Sequence, residues 1–196
     1  MAEIRRREEK GSGMLYAFGF DRVGVVLSDL YFVDPNPIKG QEGAERGVRL
    51  EVRMFERGEL KGSMYSAQPI EIGQPIWRVD LLESVAGPPG SFDRTHHHPV
   101  FRGWDPSSRV FDAELSARPL EWLAGKLSDL EGLMKEADVL ADDAVTEAVA
   151  TDSASLRDCV PEILDATESL LRKVGAGELG KPPGAGPVSN ARAGWL

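Results

Sequence analysis

Three contiguous histidines, His96, His97 and His98, are the only histidines of the chain and its clearest chemical signal. Successive side chains of a strand point to opposite faces, so His96 and His98 would project to one side with Cα atoms roughly 6.5 to 7 Å apart. Two imidazoles at that separation could bind one metal ion. Imidazole also titrates near neutral pH, so the pair could instead transfer protons without a metal.

A catalytic metal site usually has three protein ligands and one open position, so the histidine pair needs a carboxylate. We predict that Asp93, which lies just before the histidines, supplies it. Asp80 or Glu83 could take the same role from a neighbouring strand. A divalent metal is the only cofactor that this pattern suggests. In the other interpretation, the rings cover a sheet face and form hydrogen bonds through their nitrogens.

Arg78 and Asp80 lie two residues apart in a stretch, residues 76–82, that alternates as a strand does. They would therefore share one face, while Trp77 and its apolar neighbours point the other way. On that face they could orient a substrate or position His96 or His98. The alternative is a cross-strand ion pair at the surface of the sheet.

The residues that would position this chemistry belong to short β-type runs separated by Gly, Pro and Asn. Charges alternate with apolar residues most regularly in residues 48–54, as in a strand with one face in solvent. The turn signal at residues 57–59 predicts a hairpin. No helical segments separate the runs, so we predict an antiparallel sheet domain of residues 14–116. Its candidate strands are residues 23–33, 48–54, 60–72 and 76–82.

Apolar residues recur at steps of three and four from Pro119 onwards, which is typical of a helix with one apolar face. The pattern continues to Ala148 and predicts one long helix. A second helix would be capped at Asp152 or the next residue and end at Gly175. Residues 117–174 are therefore predicted to form a helical hairpin.

The predicted fold class is α+β, with an antiparallel sheet domain, a C-terminal helical hairpin and a Gly/Pro-rich tail. The tail, residues 175–196, contains six glycines and three prolines. Residues 1–13 are predicted to form a flexible charged arm.

The apolar stripe of the hairpin is larger than a two-helix arm could bury by itself. We therefore expect a homo-oligomer or another protein partner to cover it. A lone tryptophan in the tail could anchor the same docking, because aromatic side chains concentrate binding energy in pockets. The predicted partner-binding residues are Leu127, Leu130, Met134, Leu156, Ile163, Leu170 and Trp195.

The net charge is −9, from 23 basic and 32 acidic residues. Phosphate backbones and anionic membranes repel such a chain, so we expect no membrane partner, and no nucleic acid unless the protein is toxin-like. No apolar stretch is long enough to span a bilayer, and the N-terminus has no secretory signal pattern. The single cysteine, Cys159, fits a reducing compartment. A cytoplasmic location is expected.

The segment from Trp77-Arg78-Val79-Asp80 through the histidines and Pro99 to the helix at Pro119 resembles the TumE-type toxins of bacterial toxin–antitoxin pairs. The resemblance covers residues 76–127. It implies an RNA-directed toxic activity with Arg78, Asp80, His96 and His98 in the site. The arginine-rich composition is also similar to that of small proteins of high-GC bacteria, which implies no activity.

Three functions are compatible with these patterns. The first is a noncatalytic binding or accessory protein that docks through its helical hairpin and tail. The second is a metal- or histidine-dependent hydrolase or ribonuclease that uses Arg78, Asp80, His96 and His98. The third is a ligand-binding module on the charged face around Arg78 and Asp80. We favour the first, because the chain has few residues of catalytic type.

Overall fold

Five strands form one antiparallel sheet, and each strand pairs with the next along the chain. The structure is a computed structural model that describes residues 13–57 and 70–182. It confirms the predicted α+β class with an antiparallel sheet. The strands are β1 (Leu15–Gly19), β2 (Val23–Val33), β3 (Ala44–Arg57), β4 (Ile70–Ser84) and β5 (His96–His98).

Strand β4 is longer than the sequence pattern predicted. Gly73 and Pro75 do not end this strand, because the pairing of β3 with β4 shifts register on either side of Arg53. Such a bulge accommodates a residue that cannot donate to the ladder. Strand β1 was not predicted. The predicted turn and most of the return strand fall on residues 58–69, outside the described residues.

The inner face of the sheet is apolar and carries the core. Side chains of β2, β3 and β4, such as Leu27, Leu50 and Trp77, are fully buried there. They pack with helix side chains in one hydrophobic cluster. The helices are α1 (Ala113–Ala117), α2 (Pro119–Ser128), α3 (Leu130–Glu136) and α4 (Asp143–Gly175).

The prediction of a two-helix hairpin is wrong in its first half. The stretch from Pro119 to Ala148 is not one helix but α2, α3 and the start of α4. Asp129 caps α3 by accepting a hydrogen bond from Gly132 N, and Asp142 caps α4 in the same way. Helical spacing continues across both breaks, so periodicity alone did not show them. The predicted end at Gly175 is confirmed.

The apolar stripe is covered within the chain itself. Its helices lie against the inner face of the sheet, so the argument that a second molecule must cover this stripe is wrong. Trp195 lies outside the described residues. The six other predicted partner-binding residues belong to the core and are each at most 2% exposed: Leu127, Leu130, Met134, Leu156, Ile163 and Leu170.

Asp152, expected to cap a helix, lies inside α4 and joins it to the sheet instead. Its buried carboxylate accepts hydrogen bonds from the backbone amides of Asp21, Arg22 and Val23, at 3.2, 2.8 and 2.8 Å. The first two amides belong to the turn between β1 and β2, and the third belongs to the first residue of β2. Within the described part of the chain, no helix combines the length and the apolar character needed to cross a membrane.

We expect Asp152→Ala to lower the free energy of unfolding by about 2 to 3 kcal/mol, because buried amides would lose their charged acceptor. Urea denaturation monitored by circular dichroism measures the change. Asp158→Ala is the matched control, since Asp158 is an exposed aspartate of the same helix. Equal stability of the two variants would contradict this role of Asp152.

Candidate metal centre

The outer face of the sheet is polar, yet much of it is buried. The register aligns Arg49 with Asp80 and His96 in one row across β3, β4 and β5. The next row aligns Glu51 with Arg78 and His98. The five residues of these rows other than Arg49 are each at most 8% exposed. Arg49, Glu51 and Arg53 were not predicted as site residues, because the alternation of β3 indicated that their face lies in solvent.

Residues that follow β5 contribute to this burial. Two short strands, β6 (Phe101–Arg102) and β7 (Asp105–Pro106), form a small hairpin there. The Arg78 guanidinium lies 5.5 Å from the centre of the Phe101 ring. The Phe111 ring lies 5.6 Å from that of His96. The predicted common face of Arg78 and Asp80 is confirmed. The two residues do form an ion pair, with Arg78 Nε 3.3 Å from Asp80 Oδ2, but the pair lies within one strand and is buried instead of crossing strands at the surface.

Asp80 is held by two arginines. Arg49 donates from Nε to Oδ1 at 2.7 Å and from Nη2 to Oδ2 at 3.1 Å. Arg78 Nε lies 3.3 Å from Oδ2. Burial by itself would raise the pKa of Asp80, but the two guanidinium groups outweigh it and hold that pKa well below its usual value. The carboxylate is therefore ionised throughout the neutral range.

The outer-face histidines are fixed in one tautomer by backbone carbonyls. His96 Nδ1 lies 2.7 Å from Arg94 O, and His98 Nδ1 lies 2.6 Å from Ser107 O. A carbonyl only accepts hydrogen bonds, so each Nδ1 carries a proton and each neutral Nε2 presents a lone pair. Burial lowers the pKa of both rings, and burial together with Arg78 brings that of His98 to about 4.

Three electron-pair donors therefore converge. The Nε2 atoms of His96 and His98 lie 3.5 and 3.8 Å from Asp80 Oδ2. Ligand atoms of the three residues all lie within 4.8 Å of one another. Lone pairs in this arrangement repel one another unless a cation or a proton lies between them. The site thus has the donor set and the spacing of a metal centre.

Asp93 does not join this group, so its prediction as the third ligand is wrong. Its carboxylate accepts hydrogen bonds from Ser84 N and Ser91 Oγ, both at 2.8 Å. Glu83 is also placed elsewhere, in an ion pair with Arg46 at 2.9 Å. Of the three candidate carboxylates, only Asp80 faces the histidines, because antiparallel pairing puts it directly opposite His96.

His97, the middle histidine, belongs to the other face. Its ring packs beside Trp77 and Trp122, and its Nε2 lies 3.2 Å from Glu136 Oε1. The alternation expected for an extended histidine run is therefore confirmed. His97 is also buried but lies on the opposite face from Asp80, His96 and His98, which makes it a natural control in mutagenesis.

A cavity of about 480 Å³ lies away from this centre, between α2 and α4. Two of its lining residues, Arg118 and Glu121, pair with each other at 2.9 Å and are largely exposed. It holds neither a buried unpaired charge nor any of the metal-ligating side chains. Of the two places, only the outer face of the sheet carries the candidate metal ligands Asp80, His96 and His98.

We expect the metal-free protein to lose stability as the pH falls from about 6.5 to about 4. His98 has a pKa of about 4 when folded against 6.5 as its ordinary value, so the unfolded chain binds more protons in this interval. The loss amounts to about 3 kcal/mol. Urea denaturation at pH 7 and pH 4 measures it. In His98→Gln this part of the pH dependence should disappear, and an unchanged profile would contradict the assignment.

Comparison with known proteins places the chain in no family. No family model, no curated protein and no solved structure matches it. The resemblance to the TumE-type toxins therefore stays a prediction, and the function has to be argued from the geometry of the site.

Proposed function

We propose that Asp80, His96 and His98 bind one divalent transition-metal ion and that the chain is a metal-dependent hydrolase. The observation that carries this proposal is the convergence of two Nε2 lone pairs on Asp80 Oδ2, with both Nδ1 atoms tied to carbonyls. Hydrogen bonds of this kind orient ligating imidazoles in metal proteins.

The donor set supports a transition metal. Two imidazole nitrogens and one carboxylate oxygen suit Zn²⁺ or Fe²⁺, whereas Mg²⁺ and Ca²⁺ prefer oxygen ligands. Among the described residues the group has three members. Three protein ligands are typical of a catalytic zinc site, whereas a structural zinc site usually has four.

The surrounding charges support a hydrolytic function. Arg49 and Arg78 both contact Asp80, so the carboxylate charge is already compensated before any cation binds. A site of this kind would be positive once occupied and would favour a negatively charged group at the open position. A bound Zn²⁺ would activate water for attack on an ester, amide or phosphate bond.

The noncatalytic docking function predicted from the sequence has lost its main support. It depended on an apolar helical stripe that needed a partner, and the residues of that stripe are buried in the core of the chain. The outer face of the sheet instead concentrates ionised and metal-ligating side chains. The catalytic alternative is therefore the better supported of the two.

Untagged protein should bind one equivalent of Co²⁺ or Zn²⁺ at pH 7.5. His96→Gln and His98→Gln should each weaken metal binding by at least tenfold, because loss of even a hydrogen-bond partner of a metal ligand typically costs about 10- to 100-fold in affinity. Cobalt absorption spectra and competition with a chromophoric chelator measure this. His97→Gln is the matched control and should bind as the wild type does. No metal binding by wild type, or equal binding by all variants, would contradict the proposal.

The zinc-loaded protein should hydrolyse 4-nitrophenyl acetate or bis(4-nitrophenyl) phosphate faster than the metal-free protein. The rate should fall at least tenfold in His98→Gln and remain unchanged in His97→Gln. Metal binding without any such acceleration would leave the metal centre intact but would refute its hydrolytic role towards these ester classes.

A further inference from the structure

Arg78 is a buried guanidinium group without a hydrogen-bond acceptor among the described residues. Its side chain is 7% exposed, and its Nε is buried with no hydrogen-bond partner. Its nearest carboxylates, Asp80 at 3.3 Å and Glu51 at 4.0 Å, form ion-pair contacts without hydrogen-bond geometry. A buried charge in this state is costly, since arginine has five N–H donors to satisfy.

The other two arginines of this face already use both carboxylates. Arg49 donates twice to Asp80. Arg53 donates to Glu51 and to the Gly73 carbonyl. Around the cavity the guanidinium groups of Arg49, Arg53 and Arg78 thus meet two carboxylates, which leaves one positive charge uncompensated there. Arg109 pairs with Glu45 at 3.0 Å outside this cluster. Arg78 has the free hydrogen-bonding capacity.

This uncompensated charge lines a cavity of about 320 Å³ on the outer face of the sheet. Arg49, Glu51 and Arg53 line it together with Arg78. The rest of the wall is mainly apolar and includes two aromatic rings. Its apolar members are Leu15, Val26, Leu30, Ile72, Pro75, Phe101 and Trp104.

We propose that this cavity binds an organic carboxylate with an apolar body. The carboxylate would accept two hydrogen bonds from the planar fork of Arg78, which is the geometry in which arginine binds such groups most strongly. The apolar body would lie between Phe101 and Trp104. The volume is within the range of small-molecule sites.

Charge and exposure both favour a ligand of this class. One uncompensated positive charge matches a monoanion, whereas a phosphate dianion would leave one negative charge unmatched and would be repelled more strongly by Glu51. Three apolar lining residues are notably exposed: Leu15 at 65%, Ile72 at 47% and Trp104 at 43%. An apolar body would remove some of this surface from water, which stabilises the complex.

The inference does not depend on the metal. None of the three metal-ligating residues lines the cavity. Arg78 connects the two sites, because it contacts Asp80 and also lines the cavity. The same carboxylate chemistry could come from a free organic acid or from the C-terminus of a peptide, and the two sources require separate probes.

Isothermal titration calorimetry on protein freed of metal with a chelating resin tests the proposal. The probes are 3-phenylpropionate and the N-acetylated tripeptide acetyl-Gly-Gly-Phe, each paired with the uncharged amide of the same acid. Wild type should bind at least one acid, and the matching amide should bind at least tenfold more weakly. Preference for one acid identifies the source of the carboxylate. Absence of binding by both acids, or equal binding of acid and amide, would overturn the proposal.

Two variants locate the binding. Arg78→Gln should weaken binding of the acid at least tenfold, and Arg102→Gln, at an exposed arginine outside the cavity, should not. If Arg78→Gln does not fold by circular dichroism, Trp104→Ala replaces it. This variant should weaken binding of 3-phenylpropionate by at least threefold. Unchanged affinity in the folded variant would refute this location.

The same titration separates this inference from the proposed metal centre. His96→Gln, which removes a metal ligand, should bind the acid with wild-type affinity. Acid binding by the wild type, together with failure of the wild type to bind metal, would refute the metal centre and leave the carboxylate site standing. Normal metal binding with no acid binding would refute the carboxylate site alone.

Discussion

The ion pairs of Asp80 with Arg49 and Arg78 are the interaction on which the outer face of the sheet depends. Desolvating a carboxylate that is 1% exposed costs several kcal/mol, and close guanidinium groups compensate for it. Arg49 comes from β3 and Arg78 from β4, so the cluster favours the observed register of these strands. Strand β5 pairs with β4 in turn, which brings His96 and His98 over the same carboxylate.

The two faces of the sheet differ in composition and in what they contribute to the protein. The inner face meets the helices in one continuous apolar core, which supplies the burial that holds the strands in place. The outer face gathers charges that would destabilise a core. A rigid sheet is a suitable support for such a site, because strand pairing positions side chains more precisely than a loop does.

Arg78 links the two chemical features of the outer face. Its Nε approaches the ion-paired carboxylate of Asp80, and its side chain lines the apolar cavity near Phe101. A carboxylate held at Arg78 would therefore be bound close to the candidate metal centre. The proposed carboxylate site and the proposed metal centre are thus neighbours, and each can be tested without the other.

The local sequence pattern was sufficient to predict the strands with regular alternation. It also predicted the common face of Arg78 and Asp80 and the opposite orientation of His97. These features follow from the period of an extended chain, which is a property of neighbouring residues. Only the tertiary structure decided that Asp80 rather than Asp93 faces the histidines, that Arg49 joins them, and that the helical stripe is buried. Strand register and helix packing bring together residues that are distant along the chain, and the spacing of residues in a sequence carries no direct record of those contacts.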